Sequence, residues 1–411
     1  MHARGDIVIV GGGPAGLTTA IALQRLVPSS TARMIVVEKG IYPREKYCAG
    51  AIGGRGDRIL RELDACPDVP SVPIDGISLR TGTGAGGRRA SEQVVRVGGI
   101  GRVIRRIEYD HALAKVAIAR GVRVMEGTRV ESVRADGKGA IVETSRGPLR
   151  AAVVIGCDGV GSVVRRAMGI AAGGLRAQVI ELDTEEVASD RDRALLHFDA
   201  SDHALDGYAW DFPTIVDGKP MVCRGVYRLL VQREGAPDAA RERDAGELRE
   251  LLAARLATMG LDLARYRQKR FAERGFEPAE RVVQGPLMLA GEAAGVDPVT
   301  GEGIAQAIEY GAMAGRFLAD ALETHRPLDE WTDVVRRSRL AFDLSIRTYL
   351  VRMFYGRSRE RIERFLVEQP STLHLGCQHF AAMKLDPWKL AGVMIRGGAM
   401  IAGERMRTWS A

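Results

Sequence analysis

The 411-residue sequence predicts an α/β fold with three parts: a discontinuous parallel-sheet domain, an inserted and mostly antiparallel sheet domain, and a C-terminal helical region. Three observations predict it. An apolar strand near the start of the chain runs into a glycine-rich turn and a helix. Two more strand-to-glycine turns lie far downstream, and the stretches between them carry alternating apolar runs.

Residues 6–16 read Asp6-Ile-Val-Ile-Val-Gly11-Gly-Gly13-Pro14-Ala15-Gly16, a buried strand breaking into Gly-x-Gly-x-x-Gly ahead of a helix over Leu17 to Leu26. Gly11 permits the tight turn, Gly13 lets backbone approach a pyrophosphate, and Gly16 lets the helix pack on the sheet. The helix start presents unpaired N–H groups and the positive end of its dipole to an anion. A second strand, Met34 to Val37, ends in Glu38 and Lys39. An acid at this distance accepts hydrogen bonds from an adenosine ribose. A glycine-rich turn can also be purely structural, but strand, helix and acid together describe a Rossmann-like dinucleotide cradle. These residues alone leave NAD and FAD both open.

Two distant segments decide between them. Val153-Val154-Ile155-Gly156-Cys157-Asp158-Gly159 is again a strand entering a turn. Leu287-Met288-Leu289-Ala290-Gly291-Glu292 is another, followed by Asp297-Pro298-Val299-Thr300-Gly301-Glu302-Gly303-Ile304. In this order the three motifs resemble the fingerprints of FAD-dependent enzymes of the aromatic hydroxylase type. The resemblance implies that Asp158 lies between the flavin and nicotinamide sites and that Gly291 and Glu292 meet the ribityl chain. It also implies that Gly301, Gly303 and Ile304 bring a helix start to the isoalloxazine ring. Glu292 stands where those enzymes usually carry Asp, one methylene shorter.

Pro43-Arg44-Glu45-Lys46-Tyr47-Cys48-Ala49-Gly50 and Gly207-Tyr208-Ala209-Trp210-Asp211-Phe212-Pro213 narrow the resemblance. They are similar to two motifs of the geranylgeranyl reductase family, and the likeness spans most of residues 5–320. Ala49 departs from that family's Cys-Gly-Gly, and the aromatic motif has an analogue in flavin-dependent halogenases. In the reductases the matching cysteine lies at the flavin face, which implies a cofactor-facing Cys48 and Ala49 and a catalytic Cys48. A thiol there donates a proton or polarises a reacting carbon if neighbours such as Arg44 or Lys46 tune it. A half-buried turn cysteine is the plainer alternative. Tyr208 and Trp210, with Phe212, alternate on a strand and share one face, as a substrate wall or as ordinary core. Arg106-Ile-Glu-Tyr-Asp110 resembles the Arg-x-x-Phe-Asp segment of these flavoproteins, whose Arg meets the phosphate or ribose side of the cofactor. Arg105 is the adjacent alternative, because a guanidinium fork at either position matches phosphate oxygens.

Motif positions set the expected domains. Residues 1–75, 98–175 and 275–322 form the FAD-binding domain, and 76–97 with 176–274 form the substrate-binding sheet domain, which includes an amphipathic helix over 236–259. Residues 323–411 form the helical region.

At 46% hydrophobic residues the chain can bury a large core. No apolar run is long enough to cross a bilayer, and Met1 to Asp6 lacks the features of a signal peptide, so a cytoplasmic enzyme is expected. Cys48, Cys66, Cys157, Cys223 and Cys377 form no Cys-x-x-Cys pair, and His111, His197, His203, His325, His374 and His379 have no ligand spacing. Neither a disulfide framework nor a metal is implied. The net charge of +7 is concentrated late in the chain, in Arg336, Arg337, Arg339, Arg347, Arg352, Arg357, Arg359, Arg361 and Arg364. Their helical spacing reads as solvated basic faces, or as a docking face for a carrier protein or peripheral membrane contact. Nucleic acid is not expected. Leu390 to Met406, preceded by Trp388, reads as a packed C-terminal helix, with a membrane interface or pocket cap as alternatives.

The expected protein is an FAD-dependent oxidoreductase acting on an apolar organic substrate. NAD(P)H or another electron donor binds transiently, since no second fingerprint for it is visible. The resemblance implies reduction of carbon–carbon double bonds, with a monooxygenase or halogenase as the alternative. A third class is an FAD protein acting on a carrier-bound or peptide substrate through a docking partner.

Overall fold

The structure, a computed structural model, describes residues 7–82, 91–171, 173–190, 192–202, 205–231, 245–297, 299–355 and 359–408. His203, Pro298, Arg357 and the 236–244 part of the expected helix lie outside these residues, as do Met1 to Asp6.

The first sheet is built on β1 (Ile7–Val10), whose four residues are all buried. Strands covered on both faces read as continuous apolar runs, which is why this one was legible. β1 pairs in parallel with β2 (Met34–Val37) on one side and β10 (Val153–Gly156) on the other. β17 (Leu287–Leu289) continues the sheet beyond β10, and β6 (Arg123–Met125) beyond β2, both parallel. The two-residue β16 (Val283–Gln284) closes one edge antiparallel. The strand order turns back on itself at β1, the arrangement that opens a crevice outside the carboxyl ends of the strands. The three motifs follow β1, β10 and β17 at that same edge.

The second sheet has eight strands in the order β15-β11-β14-β13-β12-β4-β5-β3. These are β3 (Ala51–Gly53), β4 (Ser71–Thr81), β5 (Ser91–Ile104), β11 (Leu175–Thr184), β12 (Leu195–Asp199), β13 (Gly207–Val216), β14 (Lys219–Val231) and β15 (Lys269–Arg274). All neighbours are antiparallel except β12 and β4. The boundaries expected at 75/76 and 97/98 fall inside β4 and β5, which run as one long pair with a register shift at Ile74/Gly76. An irregularity within a pair cannot be read as alternation, so the sequence cut both strands at their midpoints. A third sheet joins β7 (Val130–Ala135), β8 (Ala140–Thr144) and β9 (Leu149–Ala151).

The helices are α1 (Pro14–Leu26), α2 (Gly54–Glu62), α3 (Arg106–Ala119), α4 (Val163–Ala167), α5 (Ala245–Thr258), α6 (Ile304–Thr324), α7 (Trp331–Arg336), α8 (Arg339–Phe354), α9 (Arg359–Glu368), α10 (Pro370–Phe380) and α11 (Pro387–Thr408). Alternation in the second sheet is clean: Ile180, Leu182 and Val226 pack under α5, while Val179, Tyr208, Trp210, Phe212 and Tyr227 face the opposite side. Trp331 is fully buried and its Nε1–H donates to the Leu289 carbonyl at 2.9 Å, docking α7 on β17.

Two expectations for the helical region change. Arg347 is paired with Asp297, and Arg359 is buried, bonding Glu363 and the carbonyls of Ala200, Asp202 and Leu205. Neither lies on a solvated basic face, because each satisfies a carboxylate or carbonyl that folding had taken out of water. Nor is α11 wholly packed, since Trp388 is 86%, Met394 67% and Ile395 72% exposed.

α1 and α6 cross at contact distance through glycine. A Cβ placed on Gly311 would sit 2.4 Å from the Ala15 carbonyl oxygen, and one on Gly315 2.6 Å from Ala22 Cβ. Gly311→Val is therefore expected to lower stability by about 1–3 kcal/mol through overpacking. Gly376→Ala on α10, with open space around it, should leave the midpoint level or raised. Urea denaturation followed by circular dichroism distinguishes the two.

Candidate functional site

A groove of about 780 Å³ runs along the carboxyl edge of the first sheet. Gly11, Gly13, Pro14, Ala15, Glu38, Lys39, Cys48, Arg106, Asp158, Glu292, Gly301, Gly303 and Ile304 all line it. Sequence motifs up to about 290 positions apart thus meet in one cleft: the glycine turns, Glu38, Asp158 and Glu292 follow strands of the first sheet, while Cys48 precedes β3 and Arg106 follows β5 of the second. Gly16 and Gly291 stand behind the wall. A Cβ on Gly16 would lie 2.0 Å from the Gly11 carbonyl oxygen, and one on Gly291 2.6 Å from Ala15 Cβ. Gly291 also has φ +64°, a left-handed backbone that glycine adopts without strain.

The residues present fit FAD. A Cβ on Gly13 would meet only an Arg106 guanidinium nitrogen, at 3.6 Å, so this position opens onto the groove beside the start of α1. A cradle bare of side chains at a helix start suits a pyrophosphate. Asp158 accepts from the Val163 N–H at 2.7 Å through Oδ2, while its buried Oδ1 has no partner among the described residues. Burial raises its pKa.

Electrostatic pairing positions the cationic side chains. Arg106 is held bidentate by Asp110, with Nε to Oδ1 at 2.6 Å and NH2 to Oδ2 at 2.7 Å, and its fork borders the groove. Arg105 turns instead to Asp183, at 3.2 Å. Arg44, expected to tune Cys48, is engaged elsewhere: Nε lies 3.1 Å from Glu38 and NH1 3.1 Å from Asp110. Glu38 also accepts the N–H groups of Gly12 and Gly40, each at 2.8 Å. Two backbone N–H groups and one Arg44 N–H, at 3.1 Å, occupy three of its roughly four lone-pair sites and leave one for a further donor such as a ribose hydroxyl. Arg44 is a site residue that sequence reasoning read in another role.

A second, smaller cavity of about 60 Å³ adjoins the groove and is lined by Ala49, Tyr208, Trp210 and Phe212 together with Phe198, Tyr227 and Phe380. Cys48, Phe271, Glu273, Gly301, Gly303 and Ile304 border both spaces. The aromatic rings pack against one another, Tyr208 and Tyr227 stacked at 5.0 Å, and the Tyr208 hydroxyl donates to the Thr300 carbonyl at 2.6 Å. The three motif aromatics are therefore both core and cavity wall.

Cys48 is half-buried at the junction. Its N–H donates to Glu181 Oε1 at 2.9 Å, and its Sγ accepts from the Gly50 N–H at 3.4 Å. Burial pushes the thiol up to about 11, opposed chiefly by Arg106, so Cys48 is a neutral thiol. Sequence reasoning missed Glu181, buried and pushed up to about 7 by desolvation against the pull of Lys269. It also missed Glu273. Both sit on strands with no motif of their own.

The sequence profile of the FAD binding domain family matches residues 88–337. Digeranylgeranylglycerophospholipid reductase of Methanothrix thermoacetophila is 28% identical over 341 residues, covering 78% of this chain and 79% of that one. Rifampicin monooxygenase of Streptomyces venezuelae is 26% identical over 330 residues, 78% of this chain and 65% of that one. A geranylgeranyl bacteriochlorophyll reductase-like structure from Thermoplasma acidophilum superposes with a TM-score of 0.70 at 19% identity, covering 95% of each chain.

Gly13→Val is expected to abolish FAD uptake while the protein keeps its circular dichroism spectrum, because the added side chain projects into the groove rather than the core. Asp158→Ala and Glu292→Ala should each weaken FAD by about 1–3 kcal/mol. Titrating apoprotein with FAD by flavin fluorescence measures all three, and unchanged affinity in the two alanine variants would remove those residues from the cofactor site.

Proposed function

We propose that this chain, which belongs to the FAD binding domain family and is an FAD-dependent oxidoreductase, reduces carbon–carbon double bonds of an apolar, prenyl-bearing substrate. What supports the reading is the continuity of two spaces. A groove with glycine cradles and paired guanidinium groups opens, at Cys48 and Gly301, into an aromatic-walled cavity.

In this reading Gly11, Gly13, Pro14, Ala15 and Arg106 hold the diphosphate side of FAD, with Glu38 and Lys39 at the adenosine end. Asp158, Gly291 and Glu292 hold the middle, and Gly301, Gly303 and Ile304 hold the ring end. FAD supplies hydride transfer when bound, and NAD(P)H or another donor, bound transiently, refills it. The protein's own part is orientation and exclusion of water. Tyr208, Trp210 and Phe212 offer flat apolar surface against which an isoprene unit packs. Cys48 presents a neutral thiol beside the reacting carbon and orients it. A cavity of about 60 Å³ is too small for a prenyl chain, which enters only as side chains lining it move aside.

The C-terminal face adds a second element. Phe342, Ile346, Tyr349 and Leu350 are exposed at helical spacing on α8, and Trp388, Met394 and Ile395 on α11. No helix of the described residues is long and apolar enough to cross a membrane. Apolar stripes among arginines suit contact with an anionic lipid surface that would deliver such a substrate, with a carrier protein as the alternative.

Cys48→Ser should slow turnover of a geranylgeranyl lipid while FAD content and flavin reduction stay normal, whereas Trp210→Ala should raise KM by removing apolar contact. Losses that merely track lost FAD or stability would return both residues to packing. Anaerobic reduction followed by mixing with O2 tests the reaction class: direct reoxidation without an oxygen adduct is expected, and a long-lived adduct would favour a monooxygenase or halogenase. Co-sedimentation with phosphatidylglycerol vesicles, weakening as salt rises, checks the lipid face.

A further inference from the structure

Glu273 stands on β15 opposite Ala177 of β11 and borders both the cofactor groove and the aromatic cavity. Its Oε2 is buried without a hydrogen-bond partner among the described residues. The carboxyl group presses against the 301–303 turn: a Cβ on Gly301 would lie 2.7 Å from Oε2. Gly301 has φ +65°, a left-handed backbone that favours glycine. A buried carboxylate oxygen lacking a donor is costly, whereas the oxygen of a neutral carboxylic acid in the same place loses far less on leaving water.

The surroundings favour the neutral form. Desolvation raises the Glu273 pKa well above its ordinary value, and the carboxylates of Glu292, Asp297 and Glu181 add to the rise. Lys46 opposes it, with its ammonium over the Phe271 ring at 5.6 Å from the centroid. Cys48, Tyr208 and Tyr227 also face Glu273, and all three have raised pKa values that keep them uncharged near neutrality. Cys48 and Tyr208 are poorly suited to donate, and Glu302, which also lines the aromatic cavity and is pushed up to about 7 by burial, has the Arg347 guanidinium 3.9 Å away. The Tyr208 hydroxyl is already given to the Thr300 carbonyl, and the Cys48 thiol is a weak acid at about 11.

We propose that Glu273 is a neutral carboxylic acid that serves as the proton donor of this site, aimed from the junction of the two cavities at the substrate. The assignment rests on the reading that the site reduces carbon–carbon double bonds. Such a reduction adds a hydride, with its electron pair, to one carbon and a proton to the other, breaking the π bond. The hydride comes from the reduced cofactor and the proton from the Glu273 O–H, leaving a carboxylate that regains a proton from water between turnovers. A carboxyl group shifted toward neutral pH by burial is suited to this exchange.

Infrared spectroscopy of FAD-loaded enzyme and single-turnover kinetics with digeranylgeranylglycerophospholipid test it. Wild type is expected to show a protonated-carboxyl band that shifts in D2O and is lost in E273Q. Reduction of the lipid should be slowed about 100-fold in E273Q, with FAD affinity within twofold of wild type. The wild-type rate should fall as pH rises through the Glu273 pKa, since the donor is then ionised, and E273Q should lose that alkaline limb. E273D, which keeps the acid one methylene further back, should retain the band with a smaller rate loss, and serves if E273Q folds poorly. Absence of the band, or E273Q turnover within twofold of wild type, overturns the assignment. A wild-type protein that leaves the lipid unreduced but shows the band would overturn the reductase reading and leave Glu273 a neutral acid.

Discussion

The close approach of backbone to backbone at the carboxyl edge of the first sheet governs the rest of this structure. Gly11 lies against the Cys157 carbonyl, where a Cβ would be 2.4 Å away, Gly16 lies against Gly11, and Gly291 against Ala15. Three turns that follow three parallel strands therefore interlock through positions where no side chain fits. Once they interlock, the start of α1, the Asp158 turn and Glu292 must all face one groove. α6, which begins at Ile304 directly after the third turn, is drawn against α1 through Gly311 and Gly315. Core packing and cofactor cradle here are two results of the same constraint.

Three guanidinium groups are paired: Arg106 with Asp110 and Arg44 with Glu38 and Asp110 along the groove, and Arg347 with Asp297 beyond it. Pairs of this kind add little net stability, but removing one partner strands the other, at about 3–5 kcal/mol. They act as clamps on geometry, holding guanidinium groups and the 297–303 turn in one arrangement. Glu181 and Glu273 have no such ion pair among the described residues. Glu181 has Lys269 within electrostatic reach, and Glu273 has only Lys46 opposing three carboxylates. Low dielectric combined with incomplete pairing drives carboxyl groups toward the neutral form.

The second sheet does its work by alternation. One face meets α5 through Leu248, Leu252 and Leu256, and the other carries the aromatic wall. Between Trp210 and Phe212, Asp211 points to the α5 side, where it bonds Arg224 at 2.8 Å and also pairs with Arg255. The motif thus anchors its strand to a buried ion network on one side while presenting rings on the other. A slip of one residue would exchange these faces, so the same pairing that stabilises the sheet also sets the cavity's character.

What the sequence determined alone was local. Gly11 to Gly16, Cys157 to Gly159 and Gly291 to Ile304 each encode a strand end and a turn within about a dozen residues, and such a turn forms from its own residues. The alternation of Tyr208, Trp210 and Phe212 likewise needed nothing beyond the strand. Tertiary structure decided the partners. That Arg44 serves Glu38 and Asp110 rather than Cys48, that Arg347 and Arg359 turn inward, and that β4 and β5 belong wholly to the second sheet all depend on residues far apart in the chain. Glu273 is the clearest case: on β15 it is one polar residue in Lys-Arg-Phe-Ala-Glu-Arg. Its meaning arises only where the Gly301 turn closes over it, because desolvation is a property of the assembled environment and no short stretch of sequence encodes it.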